Sequence, residues 1–551
     1  MSKSSELLFV PLGGAGEIGM NLNLFGYDDQ WIIVDLGVMF GEPGLPGIDI
    51  VMPDPSFIVE RKDKLLGIVL THAHEDHFGA VHHLWPQLEC PVYATPFTAE
   101  LLRMKLAEAG LDDVVPVKEV PLGGELFLGP FEIDYITLTH SILEPNALAI
   151  RTPLGTVFHT GDWKIDPDPL VGERTDEAAL TALGEEGVLA MICDSTNVFN
   201  AHASGSEATV REHLIEIIGR LKGRVAVTAF ASNIARVQSL AQAAAANGRH
   251  AVLVGRSMIR NVGVAKATGY LQDLPPFVSE QESGFLPPDN VLYICTGSQG
   301  EPRGAMSRIA AGDHPHVTLG KGDTVIFSSK IIPGNELSLA ALHNALAEQG
   351  VHVITEKDEF VHVSGHPGRS ELTQMYQWIR PQIAVPVHGE RRHLFEHGAL
   401  AEELQVPHTV VPHNGTVVRL APGPAEIVDT VRSGRMVLDG DMIVPHDGES
   451  IVERRRAMYN GHLVVSLALE EDGELAADPS LTLYGVPRSP DIEKRISAAV
   501  ERALAKLSNK ALRDDQIVHE AARVAARRAC RELTGKRAQT DVQILRLPGY
   551  A

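Results

Sequence analysis

Directly after the apolar run Leu66–Leu70, the chain reads Thr71-His72-Ala73-His74-Glu75-Asp76-His77. The run predicts a strand, and the residues after it predict a turn at the strand's carboxyl end. Three imidazoles and the Asp76 carboxylate are thereby crowded onto one short loop. Imidazole nitrogen and carboxylate oxygen suit zinc or manganese, and the pattern HxHxDH can divide its ligands between two ions. A lone histidine here would read as a surface group, and the whole pattern does not. Further donors recur in equivalent places. His140 ends the predicted strand Phe131–Leu138, Asp162 follows Thr156–Gly161, and His388 ends Gln382–Val387. Each lies just beyond the carboxyl end of a predicted strand, where α/β sheets gather their site residues.

Periodicity divides the chain. Up to about residue 205, short apolar runs (Leu8–Val10, Trp31–Val34, Val188–Cys193) alternate with glycine and proline punctuation, and a helix is predicted over Phe97–Ala109. From Gly205 the style changes to alternating strand and helix. Val225–Thr228, Ala251–Val254, Val291–Ile294 and Thr324–Phe327 read as buried strands, and Asn233–Ala246 and Glu336–Gln349 as helices. This middle block predicts a doubly wound α/β insert. Near His362 the first style returns. The tail predicts two helices, Asp491–Leu507 and Asp514–Leu533, with strands around them. The expected division is a first domain over 1–205 and 362–452, the second part including a linker, interrupted by an insert over 206–361. A small α/β C-terminal domain follows over 453–551.

Composition excludes several classes. With 44% hydrophobic and 22% charged residues in 551, the chain is a packed globular protein. No apolar run reaches the length of a spanning helix, and the N-terminus lacks a signal peptide's apolar region, so no membrane association and a cytoplasmic location are expected. Cys90, Cys193, Cys295 and Cys530 lie far apart without a CxxC, which indicates neither a disulfide framework nor a thiolate zinc knuckle. The net charge of −23 argues against nonspecific nucleic-acid binding. An RNA-binding chain of this charge needs a local basic channel, for which Lys164, Arg236, Arg256, Arg260, Arg303, Lys330 and Arg369 are the candidates.

The metal pattern resembles the metallo-β-lactamase superfamily, and within it the β-CASP nucleases. Asp35 in Val34-Asp-Leu-Gly37 matches the superfamily's first motif. Asp194 in Cys193-Asp-Ser-Thr-Asn197, His366 in His362-Val-Ser-Gly-His366 and His388 in Pro386-Val-His-Gly-Glu390 match the β-CASP motifs. More narrowly, Gly13–Asn21, Phe230–Asn233, Thr296–Pro302, Ile332–Glu336 and the extra tail are similar to the bacterial ribonuclease J family. The stretch Ser141–Pro145 departs from the proline-aspartate of many relatives. The resemblance implies an αββα sandwich carrying an inserted β-CASP domain and a small C-terminal domain. It also implies two divalent ions per subunit, most readily Zn2+, with Mn2+ or Mg2+ as alternatives. His72, His74 and His140 would hold one ion, Asp76, His77 and His388 the other, and Asp162 would bridge them. Asp35 would orient the ligand turn from behind, and Asp76, Asp194 and His366 would be the catalytic residues. His366, steered by Asp194, would protonate the leaving 3′ oxygen, bind a phosphate, or do both.

For the substrate, the resemblance implies single-stranded RNA with a 5′-monophosphate, held by Ser232, Asn233, His362, Val363, Ser364, Gly365 and His366. Asn233 also reads simply as a helix N-cap. The implied activity is 5′→3′ exonucleolytic with endonucleolytic ability, in ribosomal RNA maturation and messenger decay. The implied partners are a second copy or three further copies of the chain, and an RNA-decay complex. A small-ester metallo-hydrolase, a DNA nuclease of the same superfamily and a noncatalytic RNA-binding scaffold are the alternatives. The insert argues against the first, the tail against the second and the complete ligand set against the third. The glycine runs Gly13–Gly16 and Thr296–Gly300 fit neither a dinucleotide fingerprint nor a P-loop. His82, His83, His159, His393 and His397 read as supporting or surface histidines.

Overall fold

The structure is a computed structural model and describes residues 5–41, 44–332 and 334–548. It forms two compact units, one of residues 1–39 and 52–435, the other of 40–51 and 436–551.

The first unit is built on two sheets packed face to face. In one, strands Leu7–Gly13, Leu22–Tyr27 and Gln30–Val34 form an antiparallel meander that continues in parallel through Leu65–Val69, Val92–Ala94 and Val117–Glu119. In the other, Phe131–Thr137, Asn146–Thr152 and Gly155–His159 run antiparallel, and Gly155–His159, Ala190–Asp194 and Ile383–Val387 run parallel. Phe9, Phe25, Ile32 and Val69 of the first sheet pack with Phe131, Tyr135, Leu148, Ile192 and Val385 of the second in one core. The second sheet's outer face (Ile136, Phe158, Met191, Ala384) is covered by Leu180, Leu183, Leu372, Met375 and Leu400 of three helices, Glu177–Glu186, Arg369–Ile379 and Arg391–Glu403. The strands Ala190–Asp194 and Ile383–Val387 are buried on two faces and so read as continuous apolar runs rather than alternating ones.

Between the hydrogen-bonded neighbours Ala190–Asp194 and Ile383–Val387 the chain departs to build the inserted domain. There a five-stranded, fully parallel sheet is ordered His250–Val254, Val291–Cys295, Val225–Thr228, Thr324–Phe327, His352–Ile354. Its departure and return are tied down by buried charges. Arg236 donates to both Glu207 carboxylate oxygens at 3.0 Å and to the Ser328 and Val361 carbonyls at 2.9 and 3.0 Å. Lys164 donates to the Gly205 carbonyl and pairs with Asp166, both at 3.0 Å. Glu371 accepts from the amides of Ser204 and Gly368 at 2.8 Å and of Ile165 at 2.9 Å.

In the second unit, strand His462–Leu469 lies between Ser480–Tyr484 and Gln539–Arg546. Its side chains alternate between buried and half-buried, the period of a one-faced strand. Helices Pro490–Leu504 and Asp515–Thr534 bury Ile496, Val500, Val518 and Ala522 against that face. The sandwich, the inserted α/β domain and the small α/β C-terminal unit are the architecture expected from the sequence.

Candidate metal centre

The carboxyl ends of Leu65–Val69, Phe131–Thr137, Gly155–His159, Ala190–Asp194 and Ile383–Val387 meet at one edge of the sandwich, and the chain beyond each supplies a donor. His72 and His74 lie on the turn, and His77 lies on the short helix Glu75–Phe78, for which His74 is the N-cap residue. His72, His74, His140 and Asp162 each offer a ligand atom within 4.8 Å of the others, as do Asp76, His77, Asp162 and His388. Asp162 Oδ2 lies 3.1 Å from His77 Nε2, 3.5 Å from His388 Nε2, 3.8 Å from His140 Nε2 and 4.0 Å from His72 Nε2. The structure therefore brings together all the residues read from the sequence as ligands.

Residues behind this group aim it. Asp35, held at φ +64°, accepts from the Thr71 amide and hydroxyl at 2.8 Å and from His77 Nδ1 at 2.7 Å, which turns Nε2 inward. Asn21 was not singled out from sequence. Its carbonyl oxygen lies 3.1 Å from His388 Nδ1, and its amide donates to Asp76 O at 3.0 Å. The His388 amide donates to the Gly14 carbonyl at 2.7 Å, so the glycine run Gly13–Gly16 holds up a ligand rather than a nucleotide. A Cβ on Gly365 would lie 2.7 Å from Ser141 Oγ and 2.9 Å from His140 Cε1, so that position requires glycine. The Gly365 carbonyl in turn bonds His140 Nδ1.

Burial, chiefly, pushes the imidazoles of His72 and His140 well below their ordinary pKa and His74 to about 4. They are neutral and offer lone pairs. Burial disfavours charge on Asp162 too, yet His388, His77 and His366 hold its carboxyl well below the usual range. His77 is raised well above its ordinary value, because Asp162, Asp76 and Asp35 outweigh its burial. Imidazoles converging on carboxylates are the donor set a divalent cation requires, and His77 would give up its proton to bind one. Two buried atoms in this group, Asp162 Oδ1 and His388 Nε2, have no hydrogen-bond partner. The residues present fit divalent metal.

Beside the ligands, His366 Nδ1 bonds Asp194 Oδ2 at 2.8 Å and lies 3.9 Å from Asp162 Oδ2. Burial opposes its protonation, but Asp194 and then Asp162 raise the His366 pKa to about 9. The Ser364 hydroxyl accepts from the His366 amide at 3.1 Å, and Asn197 reaches the same turn. Val363 is buried, and His362 Nδ1 is buried without a partner. Burial, helped by Arg236, lowers the His362 pKa to about 3. Ser232 precedes Asn233, whose side chain caps helix Ile234–Ala246 by accepting from the Arg236 amide at 2.9 Å and donates to Glu207.

The basic channel anticipated from sequence needs correction. Lys164 and Arg236 are fully buried in ion pairs, because they fasten the insert. Arg260 pairs with Glu108, and Arg369 with Glu396 and Glu403. Arg256, Arg303 and Lys330 are exposed. Of the supporting histidines, His397 was the least legible. Its Nδ1 lies 2.8 Å from Ser195 Oγ and its Nε2 3.0 Å from Tyr376 OH, all three buried. His393 Nδ1 accepts from the Glu390 amide at 3.1 Å, His159 packs edge-on against Phe25, and the His82 and His83 rings lie 3.8 Å apart. Glu144, in the divergent loop, accepts from the Phe97 amide and the Tyr270 hydroxyl. The signal for Ser195, Thr196 and Asn197 was present in sequence: polar residues run on immediately after a buried strand.

Four family descriptions match the chain: "Beta-lactamase superfamily domain" over 46–210, "Ribonuclease J, beta-CASP domain" over 222–346, "Zn-dependent metallo-hydrolase RNA specificity domain" over 350–412 and "Ribonuclease J C-terminal domain" over 449–547. The fold and the site thus define a metal-dependent nuclease of the metallo-β-lactamase fold with a β-CASP insert. Among curated proteins, ribonuclease J of Sinorhizobium meliloti is 45% identical over 99% of this chain and 98% of its own length. Ribonuclease J of Mycolicibacterium smegmatis is 38% identical over 93% and 92%. The chain belongs to the ribonuclease J family. A crystal structure of a protein of unknown function from Enterococcus faecalis V583 shares the fold, with a TM-score of 0.51 at 15% identity over 75% of this chain and all of that one. RNA is accordingly the substrate class, and no helix among the described residues is long and apolar enough to cross a membrane.

Proposed function

We propose that the chain holds two divalent ions, Zn2+ before Mn2+ or Mg2+, and hydrolyses single-stranded RNA from a 5′-monophosphorylated end, with endonucleolytic cutting as a second mode. The observation that carries this reading is the His366–Asp194 pair, 2.8 Å apart and beside Asp162, with His366 protonated at neutral pH. Bound at these donors, divalent cations supply Lewis-acid activation of water and offset charge developing on the phosphoryl oxygens. His72, His74 and His140 on one side, and Asp76, His77 and His388 on the other, would hold them, with Asp162 as the carboxylate common to both groups. Asp35 and Asn21 keep His77 and His388 aimed. His366 gives its proton to the leaving 3′ oxygen through the ring nitrogen not bonded to Asp194, and Asp194 stabilises the protonated ring until then.

The turn His362–His366, with the Ser364 hydroxyl, receives the terminal phosphate. Ser232 and Asn233, at the start of the helix Ile234–Ala246, lie where a phosphate of the strand would meet the helix N-terminus. Anchoring the end there sets a register of one nucleotide per cut. The reading carries with it ribosomal RNA maturation and messenger decay in the cytoplasm, self-association as a homodimer or homotetramer through the C-terminal unit, and membership of an RNA-decay complex.

The test uses one labelled RNA with a 5′-monophosphate, a 5′-triphosphate or a 5′-hydroxyl, and a His77→Ala control. Mononucleotide release that is fastest from the monophosphate and absent from the control supports the reading. Internal cuts independent of the 5′ end remove Ser364 and His366 from end recognition. No cleavage with any metal ends it.

A further inference from the structure

Phe199 and Phe395 each leave 55% of their surface exposed. Both lie on segments that carry site residues. Phe199 lies in the turn that follows strand Ala190–Asp194, and Phe395 sits in the first two turns of helix Arg391–Glu403, which begins three residues after His388. Each ring carries a cation. The Arg391 guanidinium lies 4.9 Å from the Phe395 ring centre, and that of Arg392 lies 5.7 Å from the Phe199 ring centre. Both arginines are exposed.

The rings are braced against the centre. His393 packs on Phe199 at 5.2 Å, and its Nδ1 accepts from the Glu390 amide, two residues after His388. In the same loop, the Thr196 hydroxyl donates to the His388 carbonyl at 2.9 Å and Asn197 donates to the His366 carbonyl at 3.4 Å. Arg392 also pairs with Glu390 at 2.9 Å, whereas Arg391 donates to the Pro412 carbonyl at 3.3 Å and keeps its charge available.

We propose that Phe199, Phe395, Arg391 and Arg392 form a stacking platform for unpaired bases of the RNA strand leading away from the metal centre, a subsite that rests on the nuclease reading above. Aromatic faces stack on any base, and stacked guanidinium groups add cation–π attraction and reach phosphates, so such a surface holds single strands without reading their sequence. A duplex cannot use it, since paired bases do not offer their faces. Of the cations expected to form a channel, Lys164 and Arg236 are buried inside the fold, and Arg260 and Arg369 are paired with carboxylates at its surface. In a chain of net charge −23, a platform of this kind lets flat stacking take over part of what an extended basic surface would otherwise do.

The experiment measures binding by the full-length, metal-loaded protein of a phosphorothioate-linked single strand of about twelve nucleotides, a length typical of such sites. Phe199→Ala and Phe395→Ala should each weaken binding about five-fold or more, and the double variant further still. Phe199→Trp and Phe395→Trp should restore it, which a merely structural role would not predict. An abasic strand of the same length should bind the wild type weakly and ignore the substitutions. Arg391→Ala should lower the slope of log affinity against log salt by about one.

A double variant that binds like the wild type, or an abasic strand that binds as well as a natural one, overturns the platform. So does unchanged RNA binding together with a lowered mass in solution, which would assign the face to contact between copies. A wild type that neither binds nor cuts any RNA overturns the nuclease reading itself, an outcome separate from failure of the platform alone.

Discussion

Ser195 and His397, far apart in the chain, meet at 2.8 Å behind the metal centre, and Tyr376 closes the chain of bonds at 3.0 Å from the other ring nitrogen. Each of the three belongs to a segment that carries a site residue. Ser195 follows Asp194, Tyr376 lies on the helix after His366, and His397 lies on the helix after His388. Burial lowers the His397 pKa to about 4, so the ring is neutral and serves as a strut. His397→Phe leaves the buried Tyr376 hydroxyl without a partner, which costs about 1–3 kcal/mol, and leaves the Ser195 hydroxyl only its long 3.4 Å bond to the Cys193 carbonyl. Urea unfolding should show the loss of stability, and kcat should fall. A variant with wild-type kcat and stability would show that the strut positions nothing.

The alkaline side of the activity profile should be set by His366. Against its burial, Asp194 raises its pKa, so kcat falls as pH rises through the His366 pKa, which cations bound at Asp162 and Asp76 would place below the metal-free value of about 9. Asp194→Asn removes the leading upward influence while burial remains, and the falling limb should move to lower pH. His366→Ala should remove the limb and lower kcat by about 10²–10⁴. A limb that stays in place in Asp194→Asn would separate His366 from proton transfer.

Chelation should abolish cleavage and lower the thermal midpoint, since an ion bound to the folded state alone stabilises it. Asp35→Asn touches none of the ligand atoms that face the ions, yet it weakens the acceptor for His77 Nδ1 and the Thr71 hydroxyl. Metal affinity should fall about 10–100-fold, with kcat recovered at saturating metal. Metal titration followed by activity separates this from a loss of fold.

The Glu207–Arg236 pair is wholly buried, and breaking one side leaves an uncompensated charge. Arg236→Met should destabilise by about 3–5 kcal/mol, whereas Glu207→Gln combined with Arg236→Met should cost less than the single change. Burial would raise the Glu207 pKa, but Arg236 outweighs it and holds the carboxyl below its usual range. The pair's stabilisation is therefore present above the ordinary glutamate pKa and fades as pH falls through the lowered value. Denaturation midpoints across that range measure the change.

The donors were legible because each follows an apolar run whose end is obvious. Val225–Thr228 and Thr324–Phe327 coincide with observed strands for the same reason: a buried parallel strand is apolar throughout. Arg236 and Lys164 were misread as channel cations because burial of a charge depends on a partner that local sequence does not announce. Asn21 escaped notice for the same reason, and His397 was read only as a supporting or surface histidine. The partners that define their roles, His388 for Asn21 and Ser195 for His397, lie hundreds of positions away, and a single asparagine or histidine carries no periodic signal.

The insert separates Ala190–Asp194 from Ile383–Val387, strands that lie side by side. A growing polypeptide therefore exposes His72, His74, His77, His140, Asp162 and Asp194 long before His366 and His388 have been synthesised. Until the last of these leaves the ribosome, one half of the donor set has no closing imidazole, and Asp194 has no His366 beside it. On the proposed reading, synthesis order therefore keeps the centre incomplete until the second part of the sandwich has been made.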